Sequence, residues 1–273
     1  MTIPRYTLGP CPFCGSTDQV FVSAHDRLGS GEKDMGVGVY YRELWQCACC
    51  AHLRNVHDHD LAHFYTGEYN AAAFSQGLKR QFDRIMGLPH EQSDNRRRVA
   101  RITDYMGPAG GRSVLDIGSG SAVFPAAMRE QGWMVTAMDP DPAAIDHART
   151  HAGVDAMVGD VTTFVFERRF DLVTFNKVLE HIADPVAALG KAKQALKPGG
   201  TIYVELPDGE GALADSPGRQ EFFLEHWHAF SIASIALLGR RAGLRAEIAA
   251  RTRCPSGKYT LHAFMINAMD KPA

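Results

Sequence analysis

The sequence predicts an α/β protein: a doubly wound, mostly parallel, seven-stranded Rossmann-like sheet, preceded by a small N-terminal cysteine-bearing module and a helical bridge. Three observations carry this. From residue 111 onward, short apolar runs alternate with helical segments, the pattern of a parallel sheet with helices on both faces. Val114-Leu115-Asp116-Ile117-Gly118-Ser119-Gly120 leads from an apolar run into a glycine loop and then a helix. Cys11 and Cys14, then Cys47 and Cys50, form two C-x-x-C pairs about thirty residues apart.

Each element follows from local pattern. Residues 1–60 read as short strands and turns around the cysteine pairs, with Gly29, Gly31, Gly36 and Gly38 marking a loop. Residues 61–110 show apolar side chains at three- and four-residue steps: Leu61, Phe64 and Tyr65, then Leu78, Phe82, Ile85 and Met86, then Val99, Ile102 and Met106. Residues 111–273 form the third unit. Its strands are predicted at 113–117, 134–138, 156–158, 171–175 and 201–206, with helices at 124–131 and 142–152 between them. A helix at 232–242 precedes two further strands at 244–252 and 259–268.

Composition sets outer bounds. The 273 residues are 45% hydrophobic and 22% charged, with a formal net charge of -2, so disorder and polyanion binding are not expected. The basic run Asn95-Arg96-Arg97-Arg98 is expected to be a solvated helix face, with contact to a phosphate or nucleotide-sugar as the competing reading. The N-terminus lacks a signal-peptide pattern, and no apolar run approaches the roughly 18 residues of a membrane span. A cytoplasmic protein with no membrane and no nucleic-acid partner is the expectation.

Two C-x-x-C turns can present four thiolates tetrahedrally, which suits structural Zn2+ bound by Cys11, Cys14, Cys47 and Cys50, with a redox dithiol as the rival. Cys49 is the alternative to Cys50. His52, His57, His59 and His63 are expected to belong to a polar loop and helix start, and Cys254 to be a buried or idle thiol.

The glycine loop lets backbone approach a ligand at the carboxyl end of its strand. Asp139 at the next strand end can accept both hydroxyls of a ribose, and Asp160 can accept from an adenine amino group while the backbone of Val161 pairs the ring edge. The competing reading of these aspartates is strand-end capping and turn formation.

The ordered motifs V-L-D-I-G-S-G at 114–120, Asp139, G-D-V at 159–161, F-D-L-V-T-F-N-K-V-L-E-H-I-A-D-P at 170–185 and L-K-P-G-G-T-I-Y-V at 196–204 resemble the class I S-adenosylmethionine-dependent methyltransferases over residues 111–207. The resemblance implies that Gly118, Ser119 and Gly120 face the methionine part of S-adenosylmethionine and Asp139 its ribose. Asp160 and Val161 would face the adenine, with Asp116 near the amino group and Asn176 in the same set. The cysteine module ahead of this fold is similar to bacterial sugar and surface-polysaccharide methyltransferases, including deoxysugar C-methyltransferases, which commonly carry a further C-terminal domain beyond the length of this chain.

Methyl transfer needs a base when the acceptor is a hydroxyl or a carbon acid, and histidine suits that task. Glu180-His181 follows the fourth strand, and Glu225-His226-Trp227-His228 follows the fifth. The resemblance implies catalytic roles for His181, Glu225 and His226, with His228 as a further candidate. The tyrosine often found upstream is Phe222 or Phe223 here. Tyr65 and Tyr69 are expected either to close over the cofactor or to pack in the core. The expected function is methyl transfer to a small-molecule acceptor, a sugar or nucleotide-sugar, at oxygen or carbon. The alternatives are a nicotinamide-dependent oxidoreductase and a non-catalytic zinc scaffold.

Overall fold

The computed structural model describes residues 3–61 and 77–269. The first of its two sheets begins with β1 (Gln19–His25), β2 (Arg42–Cys47) and β3 (Leu53–Val56), an antiparallel series. The turns before β1 and after β2 carry the cysteine pairs. Two helices follow, α1 (Leu78–Met86) and α2 (Asp94–Met106). Ser93 caps α2 by accepting from the Arg96 N–H at 3.2 Å, which satisfies one of the free donors of the first turn.

The second sheet starts with β4 (Ser113–Ile117), buried at all five positions, as a central parallel strand must be. The chain continues through α3 (Val123–Glu130), β5 (Met134–Asp139), α4 (Pro142–His147), β6 (Asp155–Val158), β7 (Phe170–Asn176), α5 (Pro185–Ala192), β8 (Leu196–Pro207) and α6 (Gly209–Asp215). The short β9 (His228–Ala229), α7 (Ile232–Arg241), β10 (Leu244–Arg253) and β11 (Tyr259–Asn267) complete it. The seven-stranded order is β10-β11-β8-β7-β4-β5-β6, and β11 alone runs against its neighbours. This is the Rossmann-like sheet that the sequence predicts. After β4 the chain winds outward to β6 and then returns to place β7 on the other side of β4. The order reverses there, and a crevice opens at the carboxyl ends of β4 and β7.

Two boundaries differ from expectation. Strand β8 starts at Leu196, paired with Phe170, and the Lys197–Gly200 stretch bulges before Thr201 meets Leu172. The helix expected at 142–152 is α-helical only to His147 and closes in a π-turn over Ala148–Ala152.

The first sheet is tied to the second by chain far away in sequence. Strand β9 pairs with β3, adding a fourth strand from residues 228–229 to the N-terminal sheet. Cys11, Phe13, Cys47 and Cys50 lie in the same apolar core as Phe230, Ile235 and Leu238. The Arg241 guanidinium donates to the Phe13 carbonyl at 2.7 Å, and Ser231 Oγ donates to the Cys50 carbonyl. Of the described residues, none forms a helix long and apolar enough to cross a membrane. Phe64, Tyr65, Tyr69 and His63 lie outside the described residues.

Candidate active site

A cavity of about 750 Å³ occupies the crevice at the carboxyl ends of β4 and β7. One wall is the loop after β4. Gly118 has φ +73°, and a Cβ there would sit 2.5 Å from Val178 Cγ2, so the position requires glycine. Its N–H and that of Ser119 both donate to the Met138 carbonyl, at 2.8 and 3.1 Å, which pins the loop to the end of β5. Ala122 enters α3 at φ +56°, a conformation that costs an alanine energy and that a third glycine would relieve.

The acidic residues sit at different depths around this loop. Asp116 is 2% exposed under the loop, accepting from Thr174 Oγ1 at 2.7 Å and Asn176 Nδ2 at 2.8 Å. Burial pushes its carboxyl up to about 7 against these hydrogen bonds. Asp139 ends β5, accepting from the N–H groups of Gly120 at 2.9 Å and Asp141 at 3.0 Å, and burial raises its pKa as well. Asp160 is exposed at the rim and accepts from the Thr162 N–H and hydroxyl, both at 2.8 Å. Val161 is buried beside it.

The opposite wall is built from the turn after β7 and the segment 220–226. Glu180 is 1% exposed, and its Oε2 has no hydrogen-bond partner among the described residues. His181 and His226 meet edge to face with ring centroids 4.7 Å apart. His181 Nδ1 donates to the Glu225 carbonyl at 2.9 Å and His226 Nδ1 to the Glu221 carbonyl at 3.0 Å. A carbonyl can only accept, so each neutral ring carries its proton on Nδ1 and its lone pair on Nε2. Burial lowers both histidine pKa values and raises that of Glu180.

Asp116, Gly118, Ser119, Gly120, Asp139, Asp160, Val161, Asn176, His181, Glu225 and His226 all line this one cavity. His228 does not line it. Its Nδ1 lies 3.1 Å from His52 Nε2, its Nε2 donates to the Ala183 carbonyl at 3.2 Å, and its ring packs near Phe13. A two-residue strand turns it toward the N-terminal sheet, away from its neighbour His226.

His52 and His57 are buried, contrary to a polar loop, while His59 is half-buried: His52 is 1% exposed, and His57 stacks on Trp227 with centroids 4.3 Å apart. The solvated face expected of the basic run holds for Arg96 and Arg97 but not for Arg98. Arg98 is buried beneath the cavity in a two-pronged ion pair with Glu205, at 2.8 and 2.6 Å. Sequence reading also missed Lys177, Lys258 and Tyr259 as lining residues, while Glu180 lines the cavity beside His181. The left-handed φ of +63° at Lys177, directly after β7, has no sequence signature.

The four cysteines Cys11, Cys14, Cys47 and Cys50 bring their sulfurs within 4.8 Å of one another. Cys11 and Cys50 Sγ are 3.6 Å apart and Cys14 and Cys47 Sγ 3.4 Å. Four sulfurs bound at about 2.3 Å on a zinc tetrahedron lie roughly 3.8 Å apart, so the cluster fits such an ion. Cys49 is exposed outside it, and Cys254 is buried, donating to Thr260 Oγ1 at 3.3 Å.

Residues 90–247 match the methyltransferase domain family, and the chain belongs to that family. It is similar to the ubiquinone biosynthesis O-methyltransferase of Alkalilimnicola ehrlichii, with 33% identity over 156 residues, 55% of this chain and 59% of the relative. The counterpart from Xanthomonas campestris pv. campestris strain B100 is 38% identical over 101 residues, 34% of this chain and 42% of the relative. The chain thus spans about half the length of these curated relatives.

Among solved structures, the fold is shared with magnesium protoporphyrin IX methyltransferase from Synechocystis PCC 6803. The TM-score is 0.59 and the identity 15%, covering 76% of this chain and 100% of that one. It is also shared with the 1,6-didemethyltoxoflavin-N1-methyltransferase of Burkholderia thailandensis, at TM-score 0.54 and 23% identity, covering 80% and 95%.

Proposed function

We propose that the chain transfers a methyl group from S-adenosylmethionine to a hydroxyl-bearing small molecule. The observation that carries this is one cavity with two unlike walls: the Gly118–Gly120 loop with Asp139 and Asp160 on one side, His181 and His226 on the other. When bound, S-adenosylmethionine supplies a methyl already activated on a sulfonium, so the protein has to place and deprotonate the acceptor.

Asp139 is suited to accept from a ribose diol, and Asp160 with the Val161 backbone to hold an adenine edge. Asp116 lies where its carboxylate can accept from an amino group. Burial opposes charge on His181 and His226 and keeps both rings neutral near pH 7, the form that a base requires. Glu225 lies beside them in the wall. Family membership favours this reading over a nicotinamide oxidoreductase or a non-catalytic scaffold.

The cysteine cluster is proposed to hold one structural zinc; with four sulfur ligands it would be closed to substrate. The acceptor oxygen is proposed to sit on a sugar or nucleotide-sugar, on the strength of the resemblance of the N-terminal cysteine module, whereas the curated relatives favour a quinone-like phenol. Mass spectrometry of both acceptor classes incubated with isotopically labelled methyl donor tests this. A gain of one labelled methyl supports the reading, and no gain on either class contradicts it.

A further inference from the structure

We propose that the acceptor wall holds a seat for an oxyanion of the acceptor, a carboxylate or a phosphate, built around the Lys258 ammonium with Lys177 in the same wall. Its use in selecting acceptors rests on the methyl-transfer reading; anion binding does not.

The turn between β10 and β11 is fixed before any ligand arrives. Gly257, at φ +83°, lets the chain reverse, and the Cys254 N–H donates to the Lys258 carbonyl at 2.9 Å. On one flank Asp94 of α2 accepts from the Ser256 N–H at 3.1 Å and its hydroxyl at 2.5 Å. On the other, Arg219 donates to the Gly257 carbonyl at 2.9 Å and Glu221 accepts from the Tyr259 N–H at 2.7 Å. Lys258 and Tyr259 line the cavity, so a turn tied on both flanks presents them to it.

Positive charge on this part of the wall is left uncompensated. Among the described residues, no hydrogen bond or ion pair engages the Lys258 ammonium. Lys177 donates its ammonium to Thr260 Oγ1 at 2.9 Å and has no ion pair among the described residues. The Arg253 guanidinium lies 3.6 Å from the centre of the Tyr259 ring and adds a cation at the exposed edge.

The carboxylates nearby do not offset these charges. Glu221 is held by Arg219 through both oxygens, at 2.9 and 3.1 Å. Glu180 and Glu225 share the wall, but neither is ion-paired to either lysine, and burial raises the Glu180 pKa, which disfavours its charge. An ammonium drawn out of bulk water without a counter-ion is costly, and an acceptor oxyanion would relieve that cost.

A lysine is a compact charge with three rotatable donors, so it suits a carboxylate and a phosphate alike. Burial dominates the pKa values of Glu180 and His181, and the Lys258 charge acts on both, which places the seat beside a histidine proposed as base. An acceptor anchored there by its anionic group would keep its hydroxyl on the histidine side of the cavity.

Calorimetry on the full-length chain, saturated with S-adenosylhomocysteine to fill the cofactor wall, tests the seat without turnover. The probes are 3,4-dihydroxybenzoate against catechol for a carboxylate, and uridine diphosphate against uridine for a phosphate. At least one charged probe should bind roughly tenfold or more tightly than its neutral counterpart, and Lys258→Met should remove that advantage while Lys258→Arg keeps most of it. The pair that shows the difference identifies the source of the oxyanion. If Lys258→Met does not fold, salt reads the same contact: wild-type affinity for the charged probe should fall at least about threefold from about 0.05 to 0.5 M chloride. Equal binding within both pairs, an undiminished advantage in Lys258→Met, or, where that variant does not fold, binding independent of salt overturns the proposal.

Methylation of charged and neutral acceptors with equal KM overturns the seat and leaves the methyl-transfer reading standing. Charge-selective binding with no methylated product on either acceptor class contradicts the methyl-transfer reading and leaves the seat standing.

Discussion

Asn55 donates its side-chain amide to the backbone carbonyl of His226 at 2.8 Å, and the same nitrogen reaches the carbonyls of Phe222 and Phe223 at 2.9 and 3.0 Å. One residue of the N-terminal sheet thus holds the loop that presents the histidine to the cavity. The Leu224 N–H on Glu32 Oε1 at 2.8 Å and the stacking of His57 on Trp227 add to the hold. The cysteine-bearing sheet therefore acts as a brace for the acceptor wall.

Asn55→Leu keeps the volume and removes the donors. Leaving buried carbonyls unsatisfied should lower stability by about 1–3 kcal/mol. Turnover should fall with it, while affinity for S-adenosylmethionine, whose proposed contacts lie on the other wall, stays within about twofold. Denaturant titration, steady-state rates and calorimetry separate these effects, and unchanged turnover would remove the brace from the account.

Zinc analysis should return one ion per chain for the cysteine cluster, and Cys14→Ser should reduce it. Because Cys11, Cys47 and Cys50 are buried in the main core, losing the ion should unfold more than a local turn. Thermal melts with and without a strong chelator measure this; identical melts would contradict a structural ion.

The raised pKa of Asp116 gives a pH signature. The form able to accept from the cofactor's amino group is the carboxylate, which is lost below about 7. Affinity for S-adenosylmethionine should therefore fall by up to about tenfold per pH unit below that value. In Asp116→Asn the dependence should flatten and the affinity should be lower throughout. A wild-type affinity independent of pH between 5 and 8 would contradict the assigned contact.

Acid should loosen the brace. Burial holds His57 down at about 4, against 6.5 when unfolded, so the folded state resists a proton that the unfolded state accepts. The stabilisation is full above 6.5 and is lost as pH falls toward 4, by about 3 kcal/mol for this one residue. In His57→Phe, which stacks without titrating, the fall in stability over that window should be shallower. An equally steep fall would show that other groups account for it.

Much of the sheet was legible because its strands are short apolar runs closed by Gly or Asp, a pattern that fixes both burial and ends. The residues around the nucleotide-type loop were legible for the same reason, since they are adjacent in sequence to those strand ends. What escaped depends on contacts between distant segments. Nothing near His228 signals that a two-residue strand will pair with β3, and nothing in Arg96-Arg97-Arg98 says that only the third faces Glu205 across the fold. Glu180 is legible beside His181, but nothing near it in sequence signals that one of its oxygens is buried without a hydrogen-bond partner among the described residues.

The account rests on the cavity being a seat for S-adenosylmethionine, and isothermal calorimetry with that compound tests it most directly. The wild type should bind one equivalent, and Asp139→Ala, which removes the carboxylate at the end of β5, should bind at least tenfold more weakly with the fold intact. No heat from the wild type, or equal affinity in the variant, would contradict it.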